Sequence, residues 1–175
     1  MKAHAAIAQG KNLNRVSQID RQVVEEHVAE TAAEDDADGD GGAGQADSIN
    51  GQAGNDTLQG GAGVDTLIGG EGADVFLIAS PADAGNGSSR DWILDFSATD
   101  RLDLSAIDAR SDLSGNQAFT WIGSAAFTAL GQLRYTRLSN GNGLLEGNCT
   151  GNLAADFQLE LSGAPDLAGG SLVLL

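Results

Sequence analysis

The sequence predicts an all-β fold in which a short glycine-rich solenoid is closed by a β-rich C-terminal cap. Three observations lead to this prediction. Glycine makes up 25 of the 175 residues. A nonapeptide pattern recurs four times in phase over residues 42–77. Beyond residue 77, apolar and polar residues alternate with the period of two that is typical of strands.

The composition is strongly acidic, which argues against several classes of function. Nine Lys+Arg residues against 25 Asp+Glu residues give a formal net charge of −16. Nucleic acids and anionic membrane surfaces are bound by clustered basic residues, so both are disfavoured as partners. No run of about 18 apolar residues is present, so no membrane insertion is expected. The one cysteine, Cys149, cannot form an intrachain disulfide.

Residues 1–40 are interpreted as an N-terminal acidic extension that is partly helical or disordered. Aliphatic residues at helical spacing predict a short amphipathic helix over roughly residues 15–32. Nine acidic residues between Asp20 and Asp40 predict a solvated acidic linker. The first apolar stretch is too short for a secretory signal peptide, so the chain is expected to be either cytosolic or exported by another route.

The nonapeptide pattern divides the segment 41–77 into four units. An aspartate recurs at a fixed step of nine, and a large apolar residue follows it two positions later. Units three and four match G-G-x-G-x-D-x-U-x at every fixed position, where U is apolar. Unit two departs at Gln52, and unit one departs at Ala43 and Gln45. The aspartates are Asp47, Asp56, Asp65 and Asp74, and the apolar residues are Ile49, Leu58, Leu67 and Phe76.

Each unit is expected to form a six-residue turn and a three-residue strand whose apolar residue faces inward. Glycines at the first, second and fourth positions permit positive φ, so the turn can direct several carbonyls at one point. Two units make one coil of the solenoid. In the stacked coils, Asp47 is expected to lie on Asp65, Asp56 on Asp74, and Asp65 on Asp83.

Stacked carboxylates resist ionising together unless a cation lies between them. Ca²⁺ accepts about six to eight oxygen ligands, including carboxylates and backbone carbonyls, whereas Mg²⁺ demands a stricter octahedron and keeps its waters. No His/Cys cluster is present for zinc. The sequence therefore predicts calcium sites. Because each unit has a short strand and one inward apolar residue, the repeat is expected to be disordered without calcium.

The repeat resembles the glycine-rich nonapeptide of RTX proteins, which carry hemolysin-type calcium-binding repeats. Roughly residues 39–175 resemble the C-terminal domain of serralysin-type secreted metalloproteases. This second resemblance rests on motifs such as D-W-I-L-D-F at 91–96 and D-R-L-D-L-S-A-I-D-A at 100–109. It continues through the segments 73–76, 117–120, 123–127, 131–135 and 155–163.

The resemblance implies a right-handed parallel β-roll over 41–77 and a β-sandwich-like cap over 78–175. It also implies a secreted location and export by type I (ABC transporter) machinery, with an export signal at the extreme C-terminus. Asp83 and Asp91 are expected to complete a terminal calcium site, and Gly42 and Gly44 are further candidate ligands. The main candidate ligands are the carboxylates of Asp47, Asp56, Asp65 and Asp74 and the carbonyls of Gly51, Ala53, Gly60, Ala62, Gly69 and Glu71.

The loop before Ala155 departs from the family pattern. Gly147-Asn148-Cys149-Thr150-Gly151-Asn152 carries asparagine where the family commonly has acids, so no calcium is expected there. Asn148-Cys149-Thr150 also matches a glycosylation sequon, and we interpret this match as chance. Cys149 is expected to be an unreactive thiol.

The chain is expected to have no enzymatic activity. The zinc helix of the serralysin-type proteases, H-E-x-x-H-x-x-G-x-x-H, is absent. The two histidines, His4 and His27, cannot supply its three ligands. The sequence also lacks a G-x-S-x-G elbow and a P-loop. The first hypothesis is therefore a non-catalytic calcium-binding β-roll module.

Two other hypotheses remain open. The chain could be a polysaccharide-binding accessory module like the calcium-binding modules of alginate epimerases, which would require a basic stripe for the anionic polymer. It could also be a protein partner of a protease, with residues 1–40 as the contact arm. The arginines available for a basic stripe are Arg90, Arg101, Arg110, Arg134 and Arg137.

Overall fold

The computed structural model is nearly all β and describes residues 28–30, 38–40, 44–167, 170 and 172–175. Its only α-helix in these residues is the four-residue α1 (Pro81–Ala84), which is followed by a 3-10 turn at Gly87–Ser89. The strands are β1 (Val28–Glu30), β2 (Asp38–Asp40), β3 (Ser48–Asn50), β4 (Thr57–Gln59), β5 (Thr66–Ile68), β6 (Val75–Leu77), β7 (Asp91–Ile93), β8 (Arg101–Asp103), β9 (Thr120–Trp121), β10 (Gln132–Arg137), β11 (Gly143–Asn148), β12 (Phe157–Leu161) and β13 (Val173–Leu174).

Alternate strands of the repeat enter opposite sheets. One sheet has the order β1-β3-β5-β7-β12-β11-β10-β9, and the other has the order β13-β8-β6-β4-β2. In the first sheet, the adjacent strands of the segment β1-β3-β5-β7-β12 are parallel. In the second sheet, all adjacent strands are parallel. Successive coils therefore stack in register, which confirms the parallel β-roll.

The core of the roll is made of one inward residue per strand. Strand residues alternate between the two faces, so the middle residue of each three-residue strand points between the sheets. The register places Leu67 against both Ile49 and Ile93, and Phe76 against both Leu58 and Leu102. All six side chains are buried, so the predicted inward positions of the four repeat units are confirmed.

The C-terminal part of the chain continues the larger sheet. Strands β10, β11 and β12 form an antiparallel meander, and β12 then pairs in parallel with β7. Sequence reasoning missed β11 because Gly143 and Gly147 lie within it and interrupt its alternation. Every residue of β11 is buried. The roll and the cap thus share one sheet and one apolar core.

Strand pairing also crosses both boundaries of the predicted 41–77 segment. On the N-terminal side, β1 pairs with β3 and β2 pairs with β4. The predicted helix over residues 15–32 is therefore wrong at Val28–Glu30, and its other residues lie outside the described part of the chain. On the C-terminal side, β7 and β8 stack on β5 and β6 and extend the roll.

In the described residues, no helix combines the length and the apolar character needed to cross a membrane.

Candidate metal centre

Two columns of aspartates run along the roll, with one aspartate at the start of each parallel strand from β3 to β8. In each column, the backbone N–H of one aspartate donates to Oδ1 of the aspartate in the next coil. The N···O distances lie between 2.8 and 3.0 Å. We call Asp47, Asp65 and Asp91 the first column, and Asp56, Asp74 and Asp100 the second column.

The second carboxylate oxygen of Asp56, Asp65 and Asp74 lies beside the first glycine of its own repeat unit. In the second repeat unit, a Cβ added to Gly51 would lie 2.6 Å from Oδ2 of Asp56 and 2.6 Å from the carbonyl oxygen of Gly69. Gly60 and Gly69 approach Oδ2 of Asp65 and Asp74 in the same way. Glycine is therefore required at the first position of the unit because a side chain would fill the space beside the carboxylate.

Positive φ is needed at the second position of the unit, not at the first. Gly61 and Gly70 have φ values of 75° and 97°, and Gln52 holds the same position with φ of 69°. Of the first-position glycines that the structure describes, Gly51, Gly60 and Gly69 do not have positive φ, so the expectation of positive φ is wrong at these three. Gln52 therefore has a strained backbone conformation, which Gly61 and Gly70 adopt without strain because they lack a side chain.

Several of these carboxylate oxygens are buried without a hydrogen bond. Asp47, Asp65, Asp74 and Asp91 are each at most 3% exposed. Within the described residues, Oδ2 of each of them receives no hydrogen bond. A buried ionised carboxylate is costly unless it is hydrogen-bonded or paired with a cation. The oxygens therefore fit a site that a cation completes.

The pKa values of three buried aspartates are raised, as expected for carboxylates whose negative charge is buried without enough hydrogen bonds. The pKa of Asp65 is raised to about 6, chiefly by burial and also by the charges of Asp47 and Asp83, although a backbone hydrogen bond to Asp47 N–H lowers it in part. Burial likewise raises the pKa of Asp91 to about 7, with added repulsion from Asp65 and Asp83. The pKa of Asp74 is also raised, first by burial.

The candidate carbonyl ligands lie in the loops between these aspartates. The carbonyl of Glu71 accepts from Gly54 N–H at 2.9 Å, and Ala53 forms a parallel bridge with Glu71. The carbonyl of Ala62 accepts from Gly44 N–H. Gly51, Gly60 and Gly69 lie beside the aspartate carboxylates. The loops also direct carbonyls that sequence reasoning missed toward the next coil, namely those of Gln45, Gln52 and Gly54.

Asp83 does not hold the stacking position that the sequence predicted for it. Its carboxylate accepts hydrogen bonds from Ser80 Oγ at 2.6 Å and from Ala79 N–H at 3.2 Å, and it caps helix α1. Asp91 stacks on Asp65 instead. The expected stacking of Asp65 on Asp83 is therefore wrong, although Asp83 is close enough for its charge to act on Asp65 and Asp91.

Sequence reasoning also missed Asp95 and Asp100. Asp100 stacks on Asp74, and the spacing of 26 residues equals that between Asp65 and Asp91. The repeat spacing within each column is otherwise 18 residues. The signal was present in the sequence as two D-x-U triplets, Asp91-Trp92-Ile93 and Asp100-Arg101-Leu102, which start nine residues apart.

The donor set fits calcium better than zinc. In the described residues, no group of three or more His, Cys, Asp or Glu side chains is close enough to hold a metal ion by side chains alone. Both histidines lie outside those residues. Ca²⁺ takes carboxylate and carbonyl oxygens together, and these loops offer both kinds of oxygen.

The loop before Ala155 is held by hydrogen bonds within the protein. The Asp156 carboxylate accepts from the backbone N–H groups of Cys149 and Thr150, at 2.6 and 2.7 Å, and from the Thr150 hydroxyl. Burial, followed by the charge of Asp156, raises the pKa of the Cys149 thiol to about 12, so the thiol is not activated. Asn148 is fully buried, which leaves no access for a glycan.

A family model for the RTX calcium-binding nonapeptide repeat, in four copies, matches residues 40–76. Residues 40–76 are therefore RTX calcium-binding repeats. This confirms the predicted repeat and its calcium chemistry. The matched segment contains the first- and second-column aspartates up to Asp74, whereas Asp91 and Asp100 lie beyond it.

Two solved structures resemble most of the chain. The solution structure of the AlgE6R2 subunit of the Azotobacter vinelandii mannuronan C5-epimerase is 27% identical, with a TM-score of 0.54, over 86% of this chain and 89% of that chain. The AlgE6R3 subunit of the same epimerase is 27% identical, with a TM-score of 0.46, over 81% of this chain and 77% of that chain. No curated protein matches the chain. The likeness to serralysin-type C-terminal domains stays a prediction.

Without calcium, the RTX repeats are expected to fold better in acid than at neutral pH. An aspartate whose pKa is higher in the fold than its unfolded value of 3.8 stabilises the fold when protonated. That stabilisation is lost as the pH rises from about 4 to about 7. We expect the β-sheet circular dichroism signal of the calcium-free protein to be larger at about pH 5 than at about pH 7.5. An unchanged signal, or one that grows with pH, would contradict this.

Proposed function

We propose that the chain is a non-catalytic, secreted calcium-binding β-roll module that folds when calcium binds outside the cell. The observation that carries this proposal is the row of buried carboxylate oxygens on Asp47, Asp65 and Asp74, which receive no hydrogen bond within the described residues. Calcium supplies the positive charge that these oxygens lack, so its binding energy contributes to the folding energy.

The proposed ligands are the carboxylates of the four repeat aspartates and the carbonyls of the loops between them. The loop glycines support this assignment because they leave space beside the carboxylates. Extracellular calcium modules typically bind at about 10⁻⁴–10⁻³ M. A module with a dissociation constant in this range would remain unfolded at the low calcium concentration inside a cell and would fold at the higher concentration outside it.

The proposal also includes two further points: the chain has no catalytic activity, and it is exported by type I machinery. The family model that matches describes a calcium-binding repeat rather than a catalytic domain, and carboxylates that hold calcium are poor general acids. The resemblance to serralysin-type C-terminal domains supports export by type I machinery. A secretion assay with and without the cognate type I transporter would test this part.

Circular dichroism of the full chain during a calcium titration tests the folding part of the proposal. We expect a β-sheet signal that appears with calcium and remains weak in chelator. Magnesium at equal concentration is the matched control, because it fits a carbonyl-rich cage less well. A full β-sheet signal in chelator, or an equal response to magnesium, would overturn the proposal.

A second candidate function is binding of an anionic polysaccharide. It is favoured by the likeness to the AlgE6R2 subunit of an enzyme that acts on mannuronan. The arginines give it limited support. Arg90, Arg110 and Arg134 pair with Glu160, Asp112 and Glu146, and Arg101 and Arg137 donate to backbone carbonyls. Calorimetric titration of the calcium-loaded chain with mannuronan distinguishes the two functions, because saturable heat is expected only from a polysaccharide-binding module.

A further inference from the structure

The outer face of the larger sheet carries an exposed apolar strip. Trp92 in β7 and Leu94 directly after it are 38% and 40% exposed, whereas Ile93 between them is fully buried in the core. Trp92 and Leu94 therefore lie on the outer face, because strand residues alternate between the two faces of a sheet. The register of β5 against β7 places the half-buried Ile68 beside Leu94 on this face. Contiguous exposed apolar side chains of this kind mark a binding surface.

Uncharged polar side chains lie beside this strip. The register pairs Ser48 with Thr66 and Thr66 with Trp92, so these three residues form one row across β3, β5 and β7. Ser48 is exposed and Thr66 is half-buried. Within the described residues, neither hydroxyl is hydrogen-bonded to another group of the protein. Both hydroxyls are therefore available to a molecule that lies on Trp92.

The charged groups next to Trp92 are paired within the protein. Glu160 of β12 follows Trp92 in the same row and is 1% exposed. Its carboxylate accepts hydrogen bonds from Arg90, Asn140 and Asn142, at distances between 2.5 and 3.0 Å. An anionic ligand would have to compete with this buried carboxylate for the guanidinium. The row therefore favours an uncharged ligand.

A protein partner and a second copy of the chain fit this strip poorly. A stable protein–protein interface takes about 20–30 residues from each side, whereas the strip exposes three apolar side chains. The net charge of −16 also repels a second copy. A sugar ring matches the strip better, because its C–H face can lie on the negative face of an aromatic ring while its hydroxyls bind polar groups at the rim.

We propose that the outer face of the larger sheet binds a neutral β-1,4-linked hexose polysaccharide, with one sugar ring on Trp92 and sugar hydroxyls on Thr66 and Ser48. The open sheet surface suits the flat, extended ribbon of such a chain. This inference goes beyond the calcium-binding function, and it differs from the second candidate function because the polymer is uncharged. Calcium acts on this surface through the fold, since the stacking of β3, β5 and β7 creates the row.

Calorimetric titration of the calcium-loaded full chain tests the choice of ligand. Mannohexaose and cellohexaose, both β-1,4-linked, are the neutral probes, and a mannuronan hexamer is the charged counterpart of mannohexaose. The wild type is expected to bind a neutral probe saturably and at least about tenfold more tightly than the mannuronan hexamer. A wild type that folds with calcium but binds neither neutral probe would overturn this inference and leave the calcium-binding function intact. Equal or tighter binding of mannuronan would also overturn it.

Two variants test the place of binding. Trp92→Ala is expected to bind the neutral probe at least about tenfold more weakly and to fold at the wild-type calcium concentration. Leu113→Ala is the matched control, because Leu113 is 51% exposed in the loop after β8, and it is expected to keep the wild-type affinity. If Trp92→Ala bound the probe as tightly as Leu113→Ala, the sugar would not lie on Trp92.

Thr66→Val separates sugar recognition from general apolar contact. Valine keeps the shape of the side chain and removes the hydroxyl, so binding of the neutral probe is expected to weaken by about 3–10-fold, the usual effect of losing one hydrogen bond. Apolar contact alone would be unchanged or strengthened by this substitution. An affinity that does not fall in Thr66→Val would therefore contradict the proposed contact.

Discussion

Replacing Asp65 with asparagine is expected to have opposite effects with and without calcium. With calcium, the variant loses a carboxylate ligand of the proposed metal centre. A site contributes about 1.4 kcal/mol when calcium is at about tenfold its dissociation constant, so the folded state is expected to lose about that amount for each site that depends on Asp65. Without calcium, the variant removes a buried carboxylate whose pKa is raised to about 6, and the fold gains stability at neutral pH.

Calcium titration followed by circular dichroism gives both results in one experiment. The variant is expected to have a larger β-sheet signal in chelator and to need a higher calcium concentration at the folding midpoint. Asp112→Asn is the matched control because Asp112 carries the same charge on the surface, beside Arg110. Equal calcium midpoints for Asp65→Asn and the wild type would show that Asp65 is not part of the metal centre.

Replacing Phe76 with alanine is expected to destabilise the calcium-loaded protein by about 3–5 kcal/mol, the usual cost of truncating a buried phenylalanine. Phe76 is fully buried between Leu58 and Leu102 in the register of the smaller sheet. Its ring also packs against Phe96, with the ring centroids 5.9 Å apart. The truncation therefore opens a cavity where the roll meets the rest of the core.

Chemical denaturation in saturating calcium measures this effect. Val64→Ala is the matched control, since Val64 is 42% exposed and surface substitutions usually change stability by about 0.5 kcal/mol or less. If the free energy of unfolding of Phe76→Ala fell by as little as that of Val64→Ala, the packed core of the roll would be refuted.

The repeat was predictable because its period is imposed by geometry. An aspartate before each strand and an apolar residue two positions later must recur at every turn of the roll, so the pattern of Asp56 and Leu58 repeats at Asp65 and Leu67. The inward positions and the stacking of the first four aspartates followed directly from that period.

Other parts were not predictable because insertions and long-range pairing interrupt the period. The insertion with helix α1 shifts the next aspartates by eight residues, as the change from 18 to 26 shows. Asp83 falls in the expected frame in the sequence, whereas Asp91 holds the stacking position in the structure. Strand β11 shows no alternation of apolar and polar residues, because every one of its residues is buried. Its place between β10 and β12 is set by strand pairing in the sheet and cannot be predicted from its own pattern.

The junction of β12 with β7 has a consequence for how the molecule opens. At its C-terminal side the last coil is hydrogen-bonded to the meander, whereas β1 and β2 are the outermost strands at the other end. In a linear stack whose units contact only their neighbours, loss of order starts at the less supported terminus. Amide protons should therefore exchange earliest in β1 and β2, and the fraying should advance one rung at a time toward β7 and β8.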